Sequence, residues 1–146
     1  SEEGKNGGRR MKRDFFRAVE SALFNFPALI RQLTLREEFI MAKCDCFDGF
    51  IKPGSSGSIS SIEDRVIAAK ERDPEYQLLL AKTKAIKQAF ESLPANLRQL
   101  VVLYYFEQLP REIVMEEMAI SEREFYRQRR KAVEKCAPFI LGPFGM

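Results

Sequence analysis

The sequence has no histidine and only three cysteines, and both shortages limit the chemistry available to it. Histidine is the commonest general base of enzymes and the commonest zinc ligand. Cys44 and Cys46 have a single residue between them, which is not the spacing of a zinc knuckle, and Cys136 has no second cysteine near it in the sequence. An odd number of cysteines suits a reducing compartment. We therefore expect free thiols, no metal site and no cofactor.

Long apolar runs are also missing, because no stretch approaches the roughly 20 residues needed to span a bilayer. The charged start, SEEGKNGGRRMKR, has no apolar stretch behind it and does not fit a secretory signal. Of the 146 residues, 45% are hydrophobic and 31% are charged, which excludes both a fully disordered and a membrane-embedded chain. We expect a cytoplasmic protein with one compact domain, with or without an appended arm.

The sequence further lacks a glycine-rich phosphate loop and a nucleophile elbow. Carboxylates do recur at helical spacing, as Glu112, Glu116 and Glu117, but on a face that is most simply solvated. We therefore predict no catalytic residues and no enzymatic activity.

Two stretches are predicted to lie outside the folded core. Residues 1–9 carry glycines among charges and indicate a disordered tail. Residues 44–61, CDCFDGFIKPGSSGSISS, combine glycines and a proline with five serines. This composition holds neither a helix nor a strand ladder, and it predicts a linker.

Between tail and linker, apolar residues recur at three- and four-residue intervals, as on one side of a helix. Pro27 interrupts the stripe, and a proline inside a helix costs about 3 kcal/mol. The pattern therefore predicts a helical hairpin over residues 10–43, with helices of about 10–25 and 28–42.

A helical domain is predicted over residues 62–146. Ser60 and Glu63 fit a capping box at its first helix, and Asp73 precedes Pro74 as a second start signal. The segment LRQLVVLYYFEQ, after a capping Asn96, is apolar over most of its circumference, which is typical of a helix buried in a small bundle. No segment alternates with period two, so the predicted fold class is all-α.

Apolar residues between Tyr76 and Leu93 alternate spacings of three and four, which gives a heptad-like seam. Two outcomes are open: the seam packs on the helices that follow, which its width favours, or it pairs with the same seam in a second copy. A homodimer would then form through residues 62–93, or through 10–42.

Residues 109–135, LPREIVMEEMAISEREFYRQRRKAVEK, contain the most specific pattern. Pro110 opens a short helix, and Ser121 caps a second one with Glu124 three residues on. The positions of the first helix expected to face inward are Ile113, Val114 and Met118. Helices of about nine and sixteen residues around a three-residue turn predict a helix-turn-helix at 110–136.

The outward face of the second helix, residues 122–136, carries the predicted function. Together with the capping serine, the predicted DNA-binding residues are Ser121, Glu122, Arg123, Tyr126, Arg127, Arg130 and Lys131. Between positions 123 and 131 there are five cations, Arg129 among them, and one anion. A rigid helix about 10–12 Å wide fits the major groove, where arginine can bind guanine bidentately and flanking cations neutralise phosphates. Tyr126 can contact a thymine methyl or a phosphate. The pattern predicts binding of double-stranded DNA.

Residues 93–135 resemble region four of bacterial sigma factors and the related helix-turn-helix regulators. The shared pattern is a Leu-Pro entry, an apolar helix ending in Tyr-Phe-Glu, a Glu-rich first helix, and Ile-Ser opening the recognition helix. With a basic N-terminal helix, an Asn-Phe-Pro break, a Ser/Gly-rich linker and a helix beginning Ile62-Glu63, the layout resembles the RinA/ArpU-type phage late-transcription activators.

The resemblance implies activation of phage late genes from a promoter-proximal site, with host RNA polymerase as a candidate partner. The reading face of that family falls on Glu122, Arg123, Tyr126 and Arg127. Two positions depart from the family pattern: Ala119 stands where the turn usually has glycine, and Met115 where the first helix usually has a small residue. The sigma factor regions that melt promoters have no counterpart here.

Two other functions fit the sequence. A phage DNA-packaging (terminase) small subunit also joins a helix-turn-helix to an oligomerising helical segment, and would form a ring of several copies. A helical adaptor would instead bind RNA polymerase through the surfaces of residues 97–107 and 110–118.

Overall fold

The computed structural model describes residues 12–48 and 61–142, which form six helices and, within these ranges, no β-strand. The helices are α1 (Arg13–Asp48), α2 (Ile62–Arg72), α3 (Pro74–Glu91), α4 (Ala95–Leu100, continued as a π-helix over Val101–Phe106), α5 (Arg111–Met118) and α6 (Glu122–Ile140). The predicted all-α class is confirmed. No helix in the described part of the chain is both long and apolar enough to cross a membrane.

The predicted hairpin over residues 10–43 is wrong. α1 is a single helix of 36 residues, and Pro27 lies inside it. Proline has no N–H to donate to the carbonyl of Leu23, so one helical hydrogen bond is missing. Val19 and Leu23 are buried before the proline, and Ile40 is buried after it. Packing on both sides stabilises the helix enough to offset the proline's cost of about 3 kcal/mol.

α1 also continues to Asp48, beyond residue 44, where the linker was predicted to begin. Residues 44–48 are therefore helical, because Cys44 is buried in an apolar cluster that extends the helix past the first linker residue. The remainder of the predicted linker, residues 49–60, and the predicted tail, residues 1–9, lie outside the described residues.

The chain divides into two compact units, one of residues 1–27 and 83–146 and one of residues 28–82. This division does not follow the predicted boundary at the linker. The reason is that α1 and α3 are long helices, and each contributes residues to both units. The helix-turn-helix segment belongs to the first unit alone.

Within the unit of residues 28–82, a small apolar core joins α1, α2 and α3. Its buried members are Ile40, Cys44, Val66 and Tyr76, with Leu33, Ala69 and Leu80 packed against them. Asp73 caps α3 as predicted, since its Oδ1 accepts the Tyr76 N–H at 2.8 Å and Pro74 is the first helical residue. Arg36 Nη2 donates to Asp73 Oδ2 at 2.6 Å. The bonds from Arg36 and then Tyr76 hold the pKa of the Asp73 carboxyl below its ordinary value.

The heptad-like seam is buried by the chain itself. Its buried side chains are Tyr76, Leu79, Thr83, Ile86 and Leu93, with Phe90 half-buried. The predicted packing on the helices that follow is met only in part. Tyr76 packs on α1 and α2, which precede α3, whereas the Phe90 ring centroid lies 5.7 Å from that of Phe106 in α4, which follows α3. A homodimer through residues 62–93 or 10–42 stays a prediction.

Within the unit of residues 1–27 and 83–146, aromatic side chains pack around the second half of α4. The Phe24 ring centroid lies 4.6 Å from that of Tyr105 and 5.6 Å from that of Tyr104. Tyr104 in turn lies 5.1 Å from Phe125 of α6. The backbone here is a π-helix, and its wider turn lets neighbouring tyrosines contact both α1 and α6. α4 therefore connects the first half of α1 to the helix-turn-helix.

Candidate nucleic-acid interface

The segment predicted as a helix-turn-helix, residues 110–136, contains α5, with 8 residues, and most of α6, which has 19 residues. Three residues separate the two helices, as predicted. α6 is longer than expected and continues through Pro138 to Ile140. Cys136 and Ala137 are fully buried on its last turns, so the extension has an apolar face to pack.

The turn between the two helices depends on one left-handed residue. Ala119 has φ 55° and ψ 48°. This conformation allows the Ile120 N–H to bond the Met115 carbonyl at 3.1 Å and the Ala119 N–H to bond the Glu116 carbonyl at 3.2 Å. The pair of bonds is a Schellman motif, which satisfies the last carbonyls of α5. Alanine tolerates this backbone less well than glycine, at a cost of about 1–2 kcal/mol.

The start of α6 is fixed by Ser121. Its backbone is extended, and its Oγ accepts the Glu124 N–H at 3.1 Å. This hydrogen bond satisfies one of the free N–H groups at the helix start. In the predicted capping box, the Glu124 carboxylate would bind back to the start of the helix. It binds Arg127 and Gln128 instead.

The inner face of α6 is apolar and holds the helix in place. Phe125, Ala132 and Val133 are fully buried. Val114 of α5 is also fully buried, but the prediction that Ile113 faces inward is wrong, since it is 41% exposed. The half-buried residues of α5 lie on the other side of Val114 from Ile113 around the helix, so Ile113 is turned toward solvent.

The outward face of α6 presents all seven predicted residues. Ser121, Glu122, Arg123, Tyr126, Arg127, Arg130 and Lys131 are exposed. Tyr126, at 37% exposure, lies between two clefts. One, of about 370 Å³, is lined by Arg123, Tyr126, Arg127 and Arg130. The other, of about 270 Å³, is lined by Phe16, Tyr126, Arg129 and Arg130. Tyr126 and Arg130 contribute to both clefts.

The cations of this face differ in whether they have a hydrogen-bonded ion-pair partner. Arg127 donates from Nε and Nη2 to the two oxygens of Glu124, at 3.0 and 2.9 Å. Hydrogen bonds from Arg127 and then Gln128 hold the pKa of Glu124 below its ordinary value, so the carboxylate stays charged. Arg123, Arg130 and Lys131 have no ion-pair partner in the ranges that the structure describes. These three cations are therefore free to bind an anion.

Arg129, one of the five cations counted in the sequence, does not belong to the exposed face of α6. It is half-buried, and its Nε and Nη2 donate to Glu20 of α1 at 2.8 and 3.2 Å. The Tyr105 hydroxyl donates to the same carboxylate at 2.6 Å. Burial lowers the pKa of Arg129, but the hydrogen bond and charge of Glu20 outweigh it and raise the pKa overall. Arg129 therefore anchors α6 to α1.

Sequence reasoning missed Arg111, the first residue of α5. Its guanidinium donates a hydrogen bond to the Tyr126 hydroxyl, lies 5.6 Å from the Tyr126 ring centroid and lies 3.5 Å from Glu122 Oε2. These contacts orient Tyr126 and join the two helices of the motif. Positions 111 and 126 are on different helices, so only the folded turn brings them together.

Metal-ligating groups do not cluster in this part of the molecule. No group of three His, Cys, Asp or Glu side chains that could hold a metal ion occurs within residues 12–48 and 61–142. Cys44 and Cys136 are free and buried. Burial raises the pKa of the Cys136 thiol to about 12, which keeps it protonated near neutral pH. Glu112, Glu116 and Glu117 are exposed on α5.

In comparisons with known proteins, no protein-family model, curated protein or solved structure matches the chain. The resemblance to sigma region four and to the RinA/ArpU-type activators thus depends on the sequence pattern of residues 93–135 and the layout before it. What the chain can bind has to be argued from the geometry and charge of α5 and α6.

Proposed function

We propose that this chain binds double-stranded DNA sequence-specifically, with α6 in the major groove, and acts as a transcriptional activator of phage late genes. The observation that carries the DNA-binding part is the outward face of α6. It is a capped helix, packed on its other side, that leaves arginines and a tyrosine exposed on consecutive turns. A helix of about 10–12 Å diameter fits a major groove about 12 Å wide.

Each exposed side chain fits one kind of DNA contact. Glu124 binds the Nε and Nη2 side of Arg127, which leaves the other edge of the guanidinium, formed by Nη1 and the second N–H of Nη2, without a partner among the described residues. The guanidinium is thereby oriented before binding, which suits a bidentate contact to guanine. Arg123, Arg130 and Lys131 have no such restraint and suit phosphates. Tyr126, oriented by Arg111, suits a thymine methyl or a phosphate.

The activator role comes from the resemblance to the phage late-transcription activators. In this role the protein binds a promoter-proximal site alongside host RNA polymerase. Pull-down of polymerase by the wild-type protein supports this part of the proposal. Pull-down that survives loss of all DNA binding would favour the adaptor function instead.

Fluorescence anisotropy with a labelled duplex tests the DNA-binding part. The wild-type protein is expected to bind at low salt, with log affinity falling by about 0.9 per log unit of salt for each phosphate neutralised. Replacing Arg123, Arg127 and Arg130 by alanine should reduce this slope by about 1.8, because Arg123 and Arg130 are the two of the three that are assigned to phosphates. The matched control replaces Lys82, Lys84 and Lys87, three exposed cations of α3, by alanine. Absence of binding by the wild-type protein at low salt would refute the proposal.

A further inference from the structure

The first turns of α1 lie directly beside the proposed DNA-binding face. Phe16 of α1 lines the same cleft as Tyr126 and Arg130 of α6. The Arg129 guanidinium lies 5.4 Å from the Phe16 ring centroid and 5.9 Å from the Tyr126 ring centroid. A ligand in contact with Tyr126 and Arg130 would therefore reach the surface of α1 around Phe16.

This part of α1 is held firmly against α6. Glu20, one turn after Phe16, accepts hydrogen bonds from both Arg129 and Tyr105. Val19 and Leu23, on the same half of the helix, are fully buried. The surface around Phe16 thus has a fixed position relative to the outward face of α6.

Three cations lie within four residues of Phe16 in the sequence. Lys12, Arg13 and Arg17 are all exposed, and none has an ion-pair partner among residues 12–48 and 61–142. At 100° per residue, Arg13 and Arg17 lie about 60° and 100° around the helix from Phe16. Asp14, the exposed carboxylate of this segment, lies about 160° from Phe16 and about 60° beyond Arg17. Arg13 is therefore the helical cation nearest to the side that adjoins α6, and Arg17 lies between it and Asp14.

Helix stability does not account for two of these cations. Lys12 and Arg13 lie at the start of α1, where the helix dipole favours negative charge and disfavours positive charge. Their side chains are exposed, so they add no buried apolar surface either. A binding role explains positive charge at a place where folding alone disfavours it.

We propose that Lys12, Arg13 and Arg17 form a second phosphate-binding patch, which contacts the DNA backbone beside the groove that α6 enters. This inference rests on the proposed DNA-binding function and extends its surface from α6 to α1. The patch contributes affinity without reading sequence, because phosphate contacts are the same for every base pair.

The test measures how the affinity for a labelled duplex depends on salt. Lys12, Arg13 and Arg17 are replaced together by glutamine, and Lys82, Lys84 and Lys87 in the matched control. For each phosphate that the variant no longer neutralises, the salt slope should fall by about 0.9, up to about 2.7 for all three. When the salt is raised from 50 to 200 mM, the variant should lose less affinity than the wild-type protein does. The difference is a factor of about 3.5 for each phosphate that the variant no longer neutralises. The control should keep the wild-type slope.

Two further variants keep the result unambiguous. A charge-preserving set, Lys12→Arg with Arg13→Lys and Arg17→Lys, should restore the slope, since phosphates need only the charge. Arg17→Gln alone, at an exposed position inside the helix, should reduce the slope by about 0.9 even if the triple variant misfolds. A wild-type protein that does not bind the duplex overturns the proposed function itself. Binding with the same slope in the wild-type, glutamine and control proteins overturns the patch and leaves the function of α6 standing.

Discussion

Replacing Ala119 by glycine should stabilise the protein. Ala119 ends α5 in the left-handed conformation, with φ 55°, and its side chain is exposed. Removing the methyl group therefore relieves backbone strain and costs little packing. Glycine is the residue that adopts this conformation without a steric penalty.

The size of the effect follows from two opposing contributions. An alanine in the left-handed region costs about 1–2 kcal/mol relative to its preferred conformations. Glycine loses more backbone freedom on folding, which costs about 0.5–1 kcal/mol relative to alanine. We therefore expect a net stabilisation of about 0.5–1 kcal/mol, or a rise in Tm of about 2–4 °C in a protein of this size.

Thermal and urea unfolding of Ala119→Gly, followed by circular dichroism, measure this change. Ala18→Gly provides the matched control, because Ala18 is also exposed but lies inside α1. The same substitution should there destabilise the protein by about 0.5–1 kcal/mol. A loss of stability in Ala119→Gly equal to that in Ala18→Gly would show that the turn does not have the conformation described.

Three other predictions concern the supports of the interface, the second unit and the reading of sequence. Tyr105→Phe removes the hydrogen bond to the Glu20 carboxylate and should destabilise the protein by about 1.5–3 kcal/mol in urea unfolding. Tyr104→Phe, whose hydroxyl has no hydrogen-bond partner among the described residues, should change little, and equal effects would contradict the network. Because the pKa of Asp73 is lowered in the folded protein, its contribution is present above the ordinary pKa of about 3.9 and is lost as pH falls through the folded value. Asp73→Asn should therefore show a smaller fall in Tm between pH 5 and pH 3 than the wild-type protein, and identical falls would count against the Arg36–Asp73 pair. Arg127→Ala should weaken binding to a preferred site by about 5- to 150-fold while non-specific binding changes less. Equal weakening on all sequences would instead make Arg127 a phosphate contact.

The features predicted well from sequence are those set by neighbouring residues. Asp73 and Ser121 cap their helices as expected, since a cap depends on one side chain and an N–H three residues later. The three-residue turn and the buried face of α6 follow from local spacing in the same way. Two predicted caps are wrong. α2 begins at Ile62 as predicted, but its cap is Ser61, whose Oγ accepts the Asp64 N–H, and not Ser60. Asn96 does not cap α4, because the N-cap is Pro94 and Asn96 is the second helical residue.

The features predicted poorly depend on contacts between residues far apart in the chain. Pro27 predicted a break, but burial of residues before and after it keeps α1 continuous. Arg129 has the same apparent role as its neighbours in the sequence, yet it binds Glu20, 109 positions earlier. Arg111 and Tyr126 are paired by the turn between their helices. Local pattern cannot give such partners, because they are set by which helices pack together.

The most direct test of DNA reading by α6 is to sequence the DNA that the protein retains. Fragments of the genome that encodes it are passed over immobilised wild-type protein and over the Arg123, Arg127 and Arg130 triple alanine variant at moderate salt. We expect the wild-type protein to enrich a few fragments that share one short sequence, and the variant to lose that enrichment. Retained DNA with no shared sequence, or equal enrichment by the variant, would contradict the assignment of α6 as the helix that reads DNA.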